Sequence, residues 1–257
     1  MSAAPQGGAP GTRPAGVRDE TEAAAHVREM FGRIAPRYDL LNHLLSLDID
    51  KVWRRRVARR FRGVLQDSKA DVLDLCCGTG DLAFAFRRQA PDGAEIVGSD
   101  FVPEMLVRAR AKAAAAKAAV EFIEADALNL PFAPASFDLV SCAFGFRNLA
   151  NYECGLNEIL RVLKPGGAAA ILEFAEPSGK LFGALYRFYF RRILPVLGGI
   201  ISGNASAYAY LPSSVSAFPS PEALQAQFER AGFVEIQFER WTAGIVTLHT
   251  AKRPRGT

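Results

Sequence analysis

The hydrophobic pattern of the chain changes at Asp71. From there, short apolar runs of strand length alternate with longer amphipathic stretches of helix length. The short runs are VLDLC (72–76), EIVGSD (95–100), VEFIEAD (120–126), FDLVSCAF (137–144) and AAAILEFAE (168–176). Strands that alternate with helices predict an α/β fold with a doubly wound, mostly parallel sheet.

Proline and glycine mark the boundaries of the predicted helices. Pro103 opens a run of good helix formers, MLVRARAKAAAAKAA, and proline suits the first turn of a helix. Another helix is predicted over about 151–163, ending where Lys164-Pro165-Gly166-Gly167 turns the chain into the next strand. Near the end, PSPEALQAQFERAGF predicts a capped helix. Two strands joined through Thr242-Ala243-Gly244 then predict an antiparallel hairpin that closes the sheet.

Two segments fall outside this alternation and are interpreted as additions on the substrate side. Residues ~21–62 predict a helical cover, and residues ~178–217 predict a helical insertion. The start, MSAAPQGGAPGTRPAG, is rich in Ala, Gly and Pro and has no apolar core of a secretory signal. We therefore expect a disordered tail over 1–20 and a single domain over 21–257.

The composition narrows the class of protein. Of the 257 residues 49% are hydrophobic and 23% are charged, a globular balance, and no apolar run approaches the ~20 residues of a spanning helix. Without a secretory signal, a reducing cytosol is the expected compartment. The four cysteines show no C-x-x-C spacing, so they predict buried thiols and no metal site.

Positive charge is concentrated within twelve positions of a chain whose net charge is only +4. Such a cluster is typical of a surface that contacts nucleic acid or anionic lipid, and equally of a solvated helix face. Its members are Lys51, Arg54, Arg55, Arg56, Arg59, Arg60 and Arg62.

A glycine turn follows the first predicted strand, in Cys77-Gly78-Thr79-Gly80-Asp81. Glycine lets the backbone approach a ligand closely because it lacks a Cβ, and the following helix N-terminus favours ligand binding. The turn also satisfies the dinucleotide pattern G-x-G-x-x-A, and Asp100 follows about twenty residues later, where that pattern has a ribose-binding acid. A nicotinamide-dependent dehydrogenase is therefore one interpretation.

Three further features favour S-adenosylmethionine as the ligand: Asp74 inside the first strand, Asp126 after the third, and the terminal antiparallel hairpin. Together they describe the class I methyltransferase layout, a Rossmann-like fold. Asp74 and the turn with Gly78 and Gly80 are then expected to hold the methionine end, since an acid complements its ammonium group. The structural alternative for Asp74 is an acid whose carboxylate accepts hydrogen bonds from nearby backbone amides.

Roles for the nucleoside follow from the same layout. Asp100 is expected to accept hydrogen bonds from both ribose hydroxyls. Asp126 is expected to bind the adenine amino group, while Ala127 and Phe101 or Val102 pack against the ring. The alternatives are a helix N-terminal acid for Asp100 and a loop-capping surface acid for Asp126.

From about Val27 to Lys252 the chain resembles the UbiE/MenG family of quinone-ring C-methyltransferases. The resemblance is carried by FGRIAPRYDLLNHLLSLDIDKVWRR (31–55), LDLCCGTGDLAF (73–84), DFVPEML (100–106), DALNLPF (126–132), FDLVSCAFGFRNL (137–149), RVLKPGG (161–167), LEFAEP (172–177) and GIVTLH (244–249). It implies S-adenosylmethionine as methyl donor, with demethylmenaquinol or 6-methoxy-polyprenyl-benzoquinol as acceptor; we favour the menaquinol step.

The resemblance also implies cofactor positions, which fall on Thr79, Asp100, Asp126 and Ala127. Two positions depart from common patterns. Cys76 stands at the first glycine of the generic methyltransferase turn, where the family tolerates a small residue or cysteine. Ala143 stands where many members carry serine, near the methionine or ribose portion, so a hydrogen bond there is either missing or supplied by Ser141, Cys142 or water.

Methylation of an aromatic carbon needs an electron-rich ring in line with the sulfonium methyl group, and it needs polar groups that manage the quinol and ring protons. The FGFRN segment (144–148) offers Arg147 as a cation, suited to electrostatic stabilisation rather than to direct proton abstraction, and Asn148 as donor and acceptor. Tyr38, in the cover, is a further candidate. The alternatives are an ion pair of Arg147 with Asp126 or Glu173, and a structural hydrogen bond for Tyr38.

Three histidines are the other candidates for a base. His26 lies too far towards the loose end of the chain to be favoured. His43 in an apolar helical stretch and His249 in a predicted strand fit a packing role better than catalysis.

The expected partners are a prenylated quinol and a membrane surface, at the inner face of the membrane, with no nucleic acid. The segment 181–201, rich in aromatic and arginine residues, is typical of an interfacial helix and also of an ordinary amphipathic core helix. A homodimer and a monomer both stay open. Other interpretations are methylation of another lipid-like carbon and a non-catalytic scaffold.

Overall fold

The computed structural model describes residues 11–14, 16–39, 46, 48–177 and 205–256. The strands are β1 (Asp71–Leu75), β2 (Glu95–Asp100), β3 (Glu121–Glu124), β4 (Phe137–Ala143), β5 (Leu163–Phe174), β6 (Val234–Trp241) and β7 (Val246–Lys252). The α-helices are α1 (Glu20–Ile34), α2 (Ile49–Arg60), α3 (Arg62–Leu65), α4 (Asp81–Arg87), α5 (Pro103–Ala116), α6 (Tyr152–Val162), α7 (Ala205–Ala217) and α8 (Pro221–Arg230).

The strands form one seven-stranded sheet in the order β3-β2-β1-β4-β5-β7-β6. The first five are parallel to one another, and β7 is antiparallel to both of its neighbours. The predicted doubly wound sheet and its closing hairpin are therefore confirmed. The hairpin turn lies at Thr242–Gly244, where Thr242 and Ala243 adopt positive φ angles.

The predicted helix at Pro103 is present, as α5. The helix predicted over about 151–163 is α6, and the strand after it begins at Leu163. Proline and glycine at 165–167 therefore lie within β5, at the irregular pairing between β4 and β5, where Gly166 has φ +80°. Pro165 and the two glycines thus lie at the register shift between the strands rather than at the end of the helix.

Both faces of the sheet are covered by helices. One apolar core lies between the sheet and α2, α4 and α5, and a second lies between the sheet and α6 and α8. Because all five parallel strands end at the same edge, the loops that follow β1, β2, β3 and β4 converge there. No described helix is both long and apolar enough to cross a membrane.

The predicted cover contains α1, a 3₁₀ turn at Ala35–Arg37, α2 and α3. Buried residues of α1, among them Val27 and Met30, pack against Tyr210 and Val215 of α7. Within the stretch predicted as a tail, Thr12 donates its backbone N–H to the Leu149 carbonyl at 2.7 Å. Most of the predicted insertion, 178–204, and the segment 181–201 with it lie outside the described residues, as do residues 1–10 and His43.

Candidate active site

A cavity opens at the carboxyl edge of the parallel strands, under α1. It encloses about 690 Å³ of non-atom space, part of it open to solvent. We call it the main cavity. Its walls combine the loops after β1 to β4 with the cover, through Ala24, Val27, Phe31, Tyr38, Cys76, Gly78, Asp100, Phe101, Val102, Met105, Ala125, Asp126, Ala127, Leu128, Phe144, Gly145, Asn148, Leu149 and Ala150.

Two carboxylates of the main cavity are oriented by backbone amides. Asp100, at the end of β2, accepts from the Gly78 N–H at 2.8 Å and from the Val102 N–H at 2.9 Å. Asp126, in the loop after β3, accepts from the Leu128 N–H at 2.9 Å. The structure therefore shows the local hydrogen bonds expected of structural acids, while both residues also line the main cavity.

Asp100 is buried, and burial raises its pKa to about 6, although the amide hydrogen bonds act in the opposite direction. A carboxylate so placed gains from a ligand that donates hydrogen bonds to it. The hydroxyl pair of a ribose has that chemistry, and Phe101, Val102 and Ala127 add the apolar surface that a purine ring needs.

The glycine turn has the backbone that its sequence requires. Gly80 has φ +87°, and a Cβ there would lie 2.7 Å from the Phe122 ring. Cys76 also has a positive φ, +53°. Left-handed backbone favours glycine, so the conformation explains why the generic motif has glycine where this chain has Cys76.

A second, smaller pocket adjoins the main cavity, and Tyr38 and Cys76 line both. We call it the polar pocket, because charged and hydroxyl side chains make up much of its wall. Its lining is Tyr38, Arg54, Asp74, Cys76, Cys77, Thr79, Asp81, Leu82 and Ala143. The predicted methionine-end residues Asp74, Thr79 and Ala143 thus lie here rather than in the main cavity.

Asp74 is held on the sheet by its neighbours. It lies opposite Ser141 in the register of β1 and β4, and Ser141 Oγ donates to its carboxylate at 3.0 Å. The Ala83 N–H donates to the other carboxylate oxygen at 3.0 Å. Burial raises the pKa of Asp74 to about 7. Ser141, one of the alternatives to the hydroxyl that is missing at Ala143, thus donates its own hydroxyl to Asp74.

Thr79 belongs to a network at the far wall of the polar pocket. Its hydroxyl donates to Asp39, and Lys112 Nζ lies 3.1 Å from the same hydroxyl oxygen, 3.1 Å from Asp39 and 2.6 Å from Asp81. This network ties the cover to the glycine turn and to α5. Hydrophobic patterning could not have revealed it, because its members are separated by up to 73 positions.

The FGFRN segment forms a 3₁₀ turn, Phe146–Asn148, that sends neighbouring side chains in different directions. Asn148 lines the main cavity, and its side-chain oxygen accepts from the Tyr210 hydroxyl at 3.1 Å. Arg147 is not among the residues that line either pocket. Its side chain is 6% exposed and pairs with Glu173 at 3.2 Å, the second of the two ion-pair alternatives.

The histidines of the described chain lie away from both pockets. His26 is exposed on α1. His249 is buried on β7, where its Nε2 lies 2.9 Å from the Pro221 carbonyl, and burial lowers its pKa to about 4. It therefore has the packing role that was weighed against catalysis.

The cysteines follow the prediction only in part. Cys142 is buried, while Cys76 and Cys77 are half-buried at the pockets. The prediction is wrong for Cys154, which is exposed because it lies on the polar face of the amphipathic helix α6. Within the described ranges, no group of three or more His, Cys, Asp or Glu side chains could hold a metal ion.

The basic cluster is divided by the geometry of α2. Arg54 lies on the buried face with Trp53 and Val57, one helical turn along from Asp50. Helical spacing could have identified it, since positions 50, 53, 54 and 57 share one face. The remaining members lie at the surface or partly exposed, and Arg56 is 3.3 Å from Glu239.

Comparison with solved structures supports the fold. A methyltransferase from Thermotoga maritima, described as a possible histamine N-methyltransferase, is similar with a TM-score of 0.62 and 17% identity. The similarity covers 88% of this chain and 98% of that one. The sheet order and this similarity define the fold as that of class I methyltransferases. A match to a methyltransferase family shows the class: this is an S-adenosylmethionine-dependent methyltransferase.

The chain belongs to the ubiE/COQ5 methyltransferase family, which it matches over residues 18–253. The demethylmenaquinone methyltransferase of Thermus thermophilus is 53% identical over 225 residues, which is 88% of this chain and all of that protein. The ubiquinone/menaquinone biosynthesis C-methyltransferase UbiE of Geobacter sulfurreducens is 44% identical over 237 residues, covering 91% of this chain and 90% of that protein. The resemblance noted in the sequence is thereby confirmed, and the dehydrogenase interpretation is not retained.

Proposed function

We propose that the enzyme methylates a ring carbon of a prenylated quinol, with demethylmenaquinol as acceptor and menaquinol as product. The observation that carries this proposal is the main cavity, in which an apolar wall meets only a few polar side chains. Such a cavity suits an aromatic ring with two oxygens. The names of the relatives from Thermus thermophilus and Geobacter sulfurreducens agree with this acceptor class.

When bound, S-adenosylmethionine supplies an electrophilic methyl group on a sulfonium sulfur. In our proposal Asp100 binds the ribose, Asp126 binds the adenine amino group, and Asp74 with the glycine turn complements the methionine ammonium. Phe101 and Ala127 pack on the purine. Charge-assisted hydrogen bonds of this kind are stronger than neutral ones, so the acids fix the position of the methyl group relative to the acceptor ring.

Asn148 and Tyr38 are the polar side chains that we assign to the acceptor. The Asn148 oxygen accepts from Tyr210, and its amide nitrogen donates to the Phe144 carbonyl at 3.5 Å. The second N–H of that nitrogen is left to donate to a quinol oxygen. A donor there stabilises the charge that grows on this oxygen as the ring attacks. Tyr38, between the two pockets, limits where the ring can lie.

Arg147 acts in our proposal through electrostatics from behind the cavity wall. Its guanidinium donates to the Phe144 carbonyl and pairs with Glu173, so its field at the acceptor is that of a paired cation and is weaker than that of a free one. Arg147→Lys is expected to keep the charge, lose the forked geometry and lower kcat with little change in cofactor affinity.

Membrane association is part of the proposal because a prenylated quinol partitions into lipid. Arg55, Arg59 and Arg62 are exposed, and Val52 beside them is 55% exposed. Basic side chains near a surface with anionic lipid contribute about 1 kcal/mol each. Flotation of the protein with vesicles of neutral and of anionic lipid tests this. If the protein bound neither kind of vesicle, membrane association would be refuted.

The central experiment is turnover of S-adenosylmethionine with short-chain demethylmenaquinol and with the matching methoxy-benzoquinol, in detergent, with product mass as readout. A gain of one methyl on the naphthoquinol supports the menaquinol step. A gain on the benzoquinol alone would move the enzyme to ubiquinone synthesis. Methylation of neither, with cofactor binding intact, would refute the quinol acceptor and leave the methyltransferase class.

A further inference from the structure

The polar pocket contains one cation that the proposed function leaves without a task, the guanidinium of Arg54. The side chain of Arg54 is 9% exposed, and it reaches the pocket from α2 in the cover. Asp74 and Asp81 line the same pocket. Charges of both signs therefore face one small space, next to the glycine turn.

The hydrogen bonds of Arg54 are incomplete. Its Nη1 donates to Asp50 and lies 4.0 Å from Asp81. Neither Nε nor Nη2 hydrogen bonds to any residue of the described chain. A guanidinium has five N–H donors in a fixed fork that matches a carboxylate. Arg54 is therefore a buried cation that lines the polar pocket and has donors without a partner among the described residues.

A ligand that complements this pocket carries a carboxylate and an ammonium group close together. The amino acid end of S-adenosylmethionine has both. The polar pocket meets the main cavity at Tyr38 and Cys76, so a nucleoside in the main cavity can extend its amino acid end into the polar pocket. We propose that Arg54 binds the α-carboxylate of the cofactor, so that the pocket selects nucleosides that carry an intact amino acid.

This inference rests on the cofactor's nucleoside lying in the main cavity, and it adds a residue to that site from the cover. Arg54 lies on α2, which also packs through Trp53 on Phe144 and Phe174. In this proposal the bound carboxylate contacts α2 directly, so cofactor binding stabilises α2 in its place.

Calorimetric titration tests the proposal with two ligands, S-adenosylhomocysteine and its decarboxylated analogue, which lacks only the carboxylate. The wild-type chain is expected to bind S-adenosylhomocysteine about 10- to 100-fold more tightly, the usual size of a charge-assisted hydrogen bond. Arg54→Gln is expected to bind both ligands with nearly equal affinity. Arg55→Gln, the exposed neighbour on the same helix, should keep the wild-type preference.

Arg54→Gln removes the guanidinium that pairs with buried Asp50, and this variant could fail to fold. The double variant Asp50→Asn/Arg54→Gln removes both charges, and it should show the same loss of preference. Equal weakening of both ligands in these variants, with the preference intact, would show that Arg54 only supports the fold and would overturn the inference. If the wild type bound neither ligand nor 5′-methylthioadenosine, the nucleoside site itself would be wrong, and the inference would fall with it.

Discussion

Arg54 and Arg147 are both buried and both pair with a carboxylate, yet their surroundings differ. Arg147 donates to the Phe144 carbonyl, lies 3.2 Å from Glu173 and 3.4 Å from the Ser214 hydroxyl. Among the described residues Arg54 donates only to Asp50, and it lines the polar pocket. Arg147 uses Nε and Nη1 for protein contacts and lines neither pocket, whereas Arg54 uses Nη1 alone and lines one. A pocket-lining cation with more donors left over is the better placed of the two to bind a ligand. The contrast is therefore measurable in both stability and affinity.

The largest expected effect is on the ion pair of Arg147 with Glu173. Glu173→Leu leaves the Arg147 guanidinium buried without a counter-charge, which is expected to lower the free energy of unfolding by about 3–5 kcal/mol. Asp50→Leu should cost less, because solvent in the polar pocket can hydrate Arg54. Urea denaturation of both variants gives the comparison. The double variant Arg147→Met/Glu173→Leu should recover most of the stability lost in Glu173→Leu. If Asp50→Leu lowered the free energy of unfolding as much as Glu173→Leu does, the proposed difference between the two arginines would be wrong.

The sequence was sufficient for the layout that places these groups. Strand-length apolar runs predicted the five parallel strands, Pro103 predicted the start of α5, and the acids Asp100 and Asp126 were expected at the ends of strands. These features are local, since each follows from a pattern within a few positions. Both acids line the main cavity, because parallel strands bring their carboxyl ends to one edge.

The directions of individual side chains could not be predicted in the same way. Arg147 and Asn148 are adjacent in sequence, but the 3₁₀ turn sends Asn148 to the cavity and Arg147 to Glu173. The contact of Thr12 with Leu149 joins positions far apart in the chain. Such outcomes depend on tertiary packing. Arg54 is an intermediate case, because helical spacing with Trp53 already places it on the buried face.

A second prediction tests the main cavity against the polar pocket. Asp100→Asn removes the charge that the nucleoside hydroxyls would meet, while its side-chain oxygen can still accept one backbone N–H. Affinity for S-adenosylhomocysteine should fall by about 10- to 100-fold, equivalent to about 1.5–3 kcal/mol. The decarboxylated analogue should lose affinity by the same factor, in contrast to Arg54→Gln. Calorimetry with both ligands measures this, and a loss restricted to S-adenosylhomocysteine would argue against a ribose contact.

A third prediction concerns the acid of the polar pocket. Burial raises the pKa of Asp74 from 3.8 to about 7, so above the unfolded pKa the folded chain retains a proton that the unfolded chain releases. The contribution of this bound proton to the free energy of unfolding is fully present below about pH 4 and is lost as the pH rises through about 7. Asp74→Asn carries no such charge and can still accept from Ala83. It should therefore be more stable than wild type at pH 8, by on the order of 1–3 kcal/mol.

The measurement for Asp74→Asn is urea denaturation at pH 5 and at pH 8, with Asp92→Asn, at an exposed acid outside both pockets, as control. The extra stability of Asp74→Asn over wild type should be smaller at pH 5 than at pH 8. At pH 8 the variant should also bind S-adenosylhomocysteine more weakly than wild type, because the ligand's ammonium group loses the Asp74 carboxylate as its partner. If the difference in free energy of unfolding between Asp74→Asn and wild type were equal at pH 5 and pH 8, Asp74 would not be protonated in the folded chain. In that case the polar pocket would carry a full negative charge beside Arg54.

The smallest effect is expected at Cys76, which stands at the border of the two pockets. Its φ of +53° costs a residue with a Cβ about 1–2 kcal/mol relative to glycine. Cys76→Gly relieves this cost but adds backbone entropy to the unfolded chain, worth about 0.5–1 kcal/mol, and removes a thiol that packs against the second apolar core. The free energy of unfolding should therefore change by less than about 1 kcal/mol, and ligand affinity should stay near that of wild type.

Cys76→Val is the matched counterpart for urea denaturation and ligand titration. A β-branched residue fits left-handed backbone poorly, so Cys76→Val should be clearly less stable than both wild type and Cys76→Gly. If Cys76→Gly instead lost several kcal/mol, the thiol rather than the backbone would determine this position. A loss of affinity in Cys76→Gly without a loss of stability would show that the sulfur contacts the cofactor where the two pockets join.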